Sequence, residues 1–309
     1  MRTNLFLSAT AIAAFTTIGA SVASANLLIT YGTNSAGLFS DSGTLLRTYA
    51  TDLSNPQGIT SDAAGNVYIA DLNNTRVRMY NGSTGEFIRD VLDATDPTQA
   101  RSTYGLVSTG TLLATASTLT TGATQLAIHN PSSSNNFTAF NNSVGAGYYD
   151  LAYRASDNKI FATLDGYGVQ RFDGTTFGYE TNVISVAAPT GIALDPSNLY
   201  VSTQSGTVTK YDFVKAADPL TAATAQNDAF ITGLGYITSV ASSPTSLIVA
   251  DYGTNAVRTY SLAGVNESSF PVSGPASVYY TTVAVPEPTT LGLAGLAVVG
   301  LLGRRRRTA

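Results

Sequence analysis

Hydrophobic residues in this chain fall in short alternating runs of four or five, broken by Gly, Asn, Asp and Ser. Runs of that length with a period of two predict strands rather than helices. The clearest case lies between Pro56 and Tyr80. Residues 58–61, 67–70 and 76–80 read as three strands, with turns at 62–66 and 72–75. Gly65 and Asn66 suit the positive φ that the first turn requires.

Weaker versions of this unit recur. Each opens on an apolar anchor in its first strand: Ile59, Leu106, Leu151, Ile192, Val240 and Val278, spaced 47, 45, 41, 48 and 38 residues apart. A strand-rich repeat of that period predicts four-stranded propeller blades. Second strands follow at 67–70, 112–115, 160–163, 199–202 and 247–250, and third strands at 77–80, 126–129, 169–172, 208–211 and 257–260. Fourth strands are less regular, with candidates at 87–91, 137–140, 177–179, 230–232 and 269–272. The sixth anchor, Val278, has no strands after it, but residues 27–30, 37–40 and 45–48 supply a matching set. The expected fold is therefore all-β: a six-bladed β-propeller whose last blade joins residues 276–283 to residues 26–49. Such closure removes the open edge of a linear array.

With the composite blade counted as the first, blade two carries Pro56-x-Gly58-Ile59, then Asp62-x-x-Gly65-Asn66-Val67-Tyr68-Ile69-Ala70-Asp71, then Asn74-x-Arg76-Val77. This pattern resembles the NHL repeat. Asp71 and Arg76 flank one turn and are expected to pair across it as an exposed ion pair. Asp251 and Arg258 are spaced differently and have no such requirement to pair.

The two ends differ from the middle. Residues 1–25 combine Arg2, an apolar stretch over 5–20 and Ala23-Ser24-Ala25. That is the layout of a signal peptide, helical and cleaved between Ala25 and Asn26. At the other end, Val285-Pro286-Glu287-Pro288 precedes an uncharged apolar run over 291–303, and then Arg304, Arg305, Arg306 and Arg307. The run predicts a short transmembrane helix, below the roughly 20 residues of a comfortable span. The arginines would stay on the cytoplasmic side. One reading is an ordinary C-terminal anchor. The order Pro-Glu-Pro, short helix, arginine cluster resembles the PEP-CTERM sorting signal. That resemblance implies a Gram-negative host, transient tethering at the inner membrane, processing by an exosortase and release to the cell surface or extracellular matrix. It also implies a link to extracellular polysaccharide or biofilm. The expected organisation is signal peptide 1–25, NHL-like propeller 26–284 and sorting segment 285–309.

Composition sharpens this picture. Charged residues make up only 12% of the chain and there is no Cys, so neither a disulfide nor a thiolate site is available. Without residues 1–25 and 286–309, 11 basic and 19 acidic residues remain, a net charge of −8. A body that acidic lacks the basic footprint of a nucleic-acid binder. The single His129 excludes a multi-histidine metal site, and no Gly-x-Ser-x-Gly elbow is present. His129 reads as a polar residue closing a third strand. No cofactor is predicted from these residues.

Two groups of candidates for chemistry remain. Asp150, beside Leu151 at the start of a first strand, could face a central channel. Propellers resembling gluconolactonase hold a divalent metal there, and calcium bound by Asp150 and backbone carbonyls is one arrangement. Asp62, Asp165, Asp173 and Asp195 read as turn residues. Tyr104, Tyr148, Tyr149 and Tyr167 lie near blade openings, where they would either stack on sugar rings or pack between blades. Two functions follow. One is an exported binding or structural module, with polysaccharide or another surface protein as partner. The other is a metal-dependent lactonase, hydrolase or lyase acting on a sugar-derived substrate.

Overall fold

Residues 26–92, 101–119, 124–132, 137–141, 147–212 and 224–282 are described by a computed structural model. They form six antiparallel sheets of four strands each. Five sheets use consecutive strands, and one is composite. In the composite sheet Pro275–Thr281 pairs with Asn26–Tyr31, which pairs with Ser35–Ser40 and then Leu45–Ala50. Counted as blade one, it is followed by blades two to six in chain order. The inner strands are Pro275–Thr281, Pro56–Ser61, Arg101–Ser108, Tyr148–Arg154, Pro189–Leu194 and Ile237–Ser242. Each touches the next, and the last returns to the first. The ring is a closed six-bladed β-propeller, as the period predicts.

The two ends of the ring meet in register, with Leu28 opposite Tyr279 and Ile29 opposite Val278. Thr30 Oγ1 donates to the carbonyl of Gln57 at 2.6 Å, and the Ser61 and Thr281 hydroxyls lie 3.0 Å apart. Both contacts tie the composite blade to blade two. The signal-peptide helix, the Ala25 side of the cleavage site and the C-terminal transmembrane helix fall outside the described residues. Among the described residues no helix is long and apolar enough to cross a membrane.

Six hydrophobic clusters fill the six interfaces between blades, and the inner strands explain why. Successive strand residues point to opposite faces. The anchor therefore packs back on the preceding blade and the next residue packs forward. Ile59 meets Leu28 and Leu38 of blade one, and Leu106 meets Tyr68 and Val77 of blade two. Val107, Ala152, Ala193 and Ala241 take the forward positions.

Just before the anchors, the inner strands slip register against their neighbours, for example between Tyr148 and Leu151 and between Pro189 and Ile192. Hydroxyls from the second strands accept the N–H groups freed there. Thr163 Oγ1 accepts from Asp150 N–H at 2.9 Å, and Ser202 Oγ from Gly191 N–H at 2.8 Å. The residue before the anchor is Gly58, Gly105, Asp150, Gly191, Ser239 or Ser277. A Cβ on Gly58 would lie 2.7 Å from the Tyr104 carbonyl, and one on Gly191 2.6 Å from the Val240 nitrogen. The next inner strand comes too close for a side chain at either glycine.

Three expectations need correction. The fourth strand of blade four is Tyr179–Ile184, not 177–179; Phe177 sits in the preceding turn at φ +57°, its ring buried in the core. The fourth strand of blade five begins earlier than residue 230, at Thr224. The Asp–Arg pairs also differ from expectation. Asp71 does pair with Arg76, at 2.8 Å, but its carboxylate is fully buried. Asp251 is buried as well and pairs with Arg258 at 3.1 Å. Both carboxylates accept an N–H from the segment entering their blade, Ser54 at 2.7 Å and Gly235 at 3.1 Å. Their role is to pin successive blades together, which explains why these residues recur.

Leu28 has no exposed surface and packs between blades one and two. Leu28→Ala is expected to cost about 2–5 kcal/mol in urea unfolding. Val265→Ala, at a site 64% exposed, is expected to stay within about 0.5 kcal/mol.

Candidate binding site at the central channel

All six inner strands run the same way, so the channel has two unlike mouths. The strands start at one mouth and end at the other. Asp150 stands between them. Its neighbours around the ring are glycines and serines, so its carboxyl group is the only one at that level. It lines both a cavity of about 250 Å³ on the starting side and one of about 280 Å³ on the ending side.

The Asp150 carboxylate links three blades. Oδ1 accepts from its neighbour Leu151 N–H at 2.9 Å. Oδ2 accepts from Ile192 N–H on the next blade at 3.3 Å and from Ser239 Oγ on the blade after that at 3.4 Å. Part of the side chain is open to the channel, yet the surrounding atoms strip away most of its water. Burial pushes its carboxyl up to about 7, and the hydrogen bonds from Leu151, Ile192 and Ser239 hold that rise in check.

Beyond Asp150 the two chambers differ. The ending side is walled by aliphatic residues, including Ile59, Leu106, Ile192 and Val240, together with Tyr153, Tyr279 and Tyr280. The starting side is lined by Tyr104, Tyr149 and Tyr236, with Gln57, Asn55, Thr190 and Thr238 between them. Tyr104 meets Tyr149 edge to face, ring centroids 6.2 Å apart. Tyr236 meets Tyr252 in the same way, also at 6.2 Å. Tyr252 is half exposed at the rim. The Tyr149 hydroxyl is 3.5 Å from Asp165 Oδ2. Burial, and then the Asp165 charge, raise the ionisation of Tyr149 and Tyr236 above the ordinary phenol value. Both rings therefore stay neutral and act as hydrogen-bonding, stacking surfaces.

The sequence candidates are sorted by this geometry. Tyr104 and Tyr149 line the mouth, whereas Tyr148 is fully buried in the core and Tyr167 is exposed without lining the cavity. Tyr236 and Tyr252 were not singled out by the sequence, because they lie on connections rather than on strands. Asp62 and Asp195 are turn residues as expected, and each also holds a tyrosine hydroxyl, Tyr68 at 2.6 Å and Tyr200 at 2.7 Å. Asp173 caps its turn through the Thr175 and Thr176 amides. Asp165 also sits in a turn, with its carboxylate beside the Tyr149 hydroxyl. His129 is buried, with Nε2 3.2 Å from Thr115 Oγ1.

The donors around Asp150 do not fit calcium. Calcium takes six to eight oxygen ligands, usually with several carboxylates. Among the described residues no three His, Cys, Asp or Glu gather closely enough to hold a metal ion. Two backbone N–H groups and a hydroxyl are already turned toward the Asp150 oxygens, and a dication would face their hydrogens.

At the far mouth the hollow is wider, about 700 Å³, and is rimmed by turn residues together with Tyr279, Tyr280, Thr281 and Thr282. Asn26 lies opposite Thr281 in the composite sheet. The first and last described residues of the chain therefore sit together at the mouth opposite Tyr104, Tyr149 and Tyr236.

Because the Asp150 carboxyl binds its proton more tightly in the folded protein, its ionisation opposes folding. The penalty is absent below about pH 4, grows as pH rises and is complete above about pH 7. Asp150→Asn removes the charge and keeps one acceptor oxygen, for either the Leu151 or the Ile192 amide. Relative to the parent protein, this variant is expected to gain stability progressively between pH 4 and 8, by up to a few kcal/mol at about 1.4 per pKa unit. Urea midpoints across that range measure it; a difference independent of pH would contradict the assignment.

Residues 284–307 match the family model described as the PEP-CTERM protein-sorting motif. No curated protein sequence matches the chain. Many solved structures share the fold, two among them with TM-scores above 0.6. One, from a crystal structure of a nidogen/laminin complex, aligns with a TM-score of 0.64 at 13% identity, covering 83% of this chain and 98% of that one. The other, a protein of unknown function from Bacteroides caccae, aligns at 0.62 and 10% identity with the same coverage. These likenesses concern the fold alone. The motif implies processing by an exosortase, export and membrane-associated sorting to the cell surface. The chain thus joins a six-bladed β-propeller to a C-terminal PEP-CTERM protein-sorting motif.

Proposed function

We propose that this protein is an exported surface module that binds an extracellular carbohydrate at the tyrosine-lined mouth. The observation that carries this reading is the polarity of the ring. Thr282, two residues before the sorting motif, stands at one mouth, and the cavity that gathers Tyr104, Tyr149 and Tyr236 with amides and hydroxyls opens at the other. While the tail is held at the membrane, the tyrosines would face outward. Neutral phenols beside amides and hydroxyls suit a sugar, whose ring faces are apolar and whose edge is all hydroxyl. In this reading the host is a Gram-negative bacterium, the ligand is part of its exopolysaccharide or biofilm matrix, and the blades are of NHL type, as the motif in blade two suggests.

An enzymatic reading has one observation in its favour. Asp150 is a half-buried carboxyl that titrates near neutral pH in a channel, as general acids and bases often do. It would serve a hydrolase or lyase acting on a sugar-derived substrate without the metal that the lactonase analogy calls for.

The binding reading is tested by retardation of the purified full-length protein in gels containing matrix polysaccharide. Tyr149→Ala and Tyr236→Ala are each expected to weaken retention about tenfold, the equivalent of roughly 1.4 kcal/mol. Tyr179→Ala, on an outer strand and 49% exposed, should leave retention unchanged. Equal retention by all three variants would count against the mouth as the site, and turnover of the polysaccharide would favour the enzymatic reading.

A further inference from the structure

The charge pattern of the mouth narrows the ligand. Asp150 lies at its floor, and Asp165, in a turn outside the cavity lining, stands 3.5 Å from the hydroxyl of the lining residue Tyr149. Among the described residues no Lys or Arg lines it. Arg76 and Arg258, on the third strands of blades two and six, are already engaged by the buried Asp71 and Asp251. A polyanionic chain entering here would meet carboxylates and the negative faces of tyrosine rings with no cation to receive it. An ammonium group would meet both of the features that attract it, carboxylate charge and aromatic faces.

The stereochemistry at the floor agrees. An ionised carboxylate offers about four acceptor sites. Leu151, Ile192 and Ser239 fill three of the Asp150 sites, leaving one. Thr190, Ser239 and Ser277 line the same cavity with hydroxyl oxygens that can accept. An ammonium has three donors and no acceptor, so it can give one hydrogen to Asp150 and the others to hydroxyls. A calcium ion needs more oxygens than this, whereas a primary amine does not.

Building on the carbohydrate reading above, we infer that the mouth selects a cationic glycan, a polymer containing free amino sugars, with an ammonium set against Asp150 and sugar faces against Tyr104, Tyr149 and Tyr236. Ionisation of Asp150 is then favoured by the ligand itself, because an opposite charge at close range stabilises the carboxylate.

The test is calorimetric titration of the full-length protein at low salt with three probes: a β-1,4-glucosamine hexamer, its fully N-acetylated counterpart and an oligouronate of similar length. The amine hexamer is expected to bind at least tenfold more tightly than the acetylated one and to weaken as salt is added. The oligouronate should bind weakest. Asp150→Asn and Asp165→Asn should each cut the preference for the amine to about threefold or less. Asp165 lies on a surface connection, so its variant tests the charge without disturbing the floor of the channel. Acetylated and amine hexamers of equal affinity would overturn the inference while leaving the carbohydrate reading in place. Tightest binding by the oligouronate would also overturn it. No binding by any of the three would overturn both.

Discussion

Everything in this molecule depends on the pairing of its two ends. Asn26–Tyr31 lies against Pro275–Thr281, and without that ladder the other five blades would form an open arc with an unpaired strand at each end. The chain has no cysteine to lock the ring covalently. Backbone hydrogen bonds and two flanking hydrophobic interfaces must do so. Leu28 and Leu38 face blade two, while Leu27, Ile29 and Val278 face blade six. The composite blade is thus held from both sides by the same packing that joins every other pair.

Closure also decides how function is arranged. Six parallel inner strands give the channel a direction, and the composite blade fixes where the chain leaves it. Small residues at the position before each anchor let the inner strands approach closely. At one position of six an aspartate occupies that place, and its carboxylate reaches the two following blades. The channel is thereby divided into two chambers, one where aliphatic residues of the inner strands stand with Tyr153, Tyr279 and Tyr280, and one where Tyr104, Tyr149 and Tyr236 stand with amides and hydroxyls. A free-energy penalty accompanies this design, since an ionised Asp150 is poorly hydrated. Natural proteins often retain such costs at binding and catalytic positions.

The fold was largely legible because the repeat is a property of local patterning. The anchors from Ile59 to Val278 have a blade-like period, and the strand set before Pro56 matches what Val278 lacks. Features that depend on the third dimension were not legible. Phe177 looked like a strand residue by type, but it occupies a turn and fills the core. Arg258 lies two residues farther along its strand than Arg76 does, yet on the same face, so its long side chain still reaches Asp251. Tyr236 and Tyr252 have no place in the strand pattern and meet only because connections of the same blade converge at the mouth. The partners of Asp150 come from blades 42 and 89 residues away, a distance at which spacing carries no signal. The sorting motif was legible outright, since its parts are contiguous.

Native-state hydrogen exchange tests the closed ring most directly. Amides of Leu28 and Ile29, in the closing strand, should exchange only by global unfolding, with protection equal to that of Ile248 and Val249 in the second strand of blade six. Exchange of the closing strand at markedly lower free energy than blade six would mean that the ring opens at the seam. The directional channel, with the chain ends at one mouth and the Tyr104, Tyr149 and Tyr236 cavity at the other, would then not be a fixed feature of the protein.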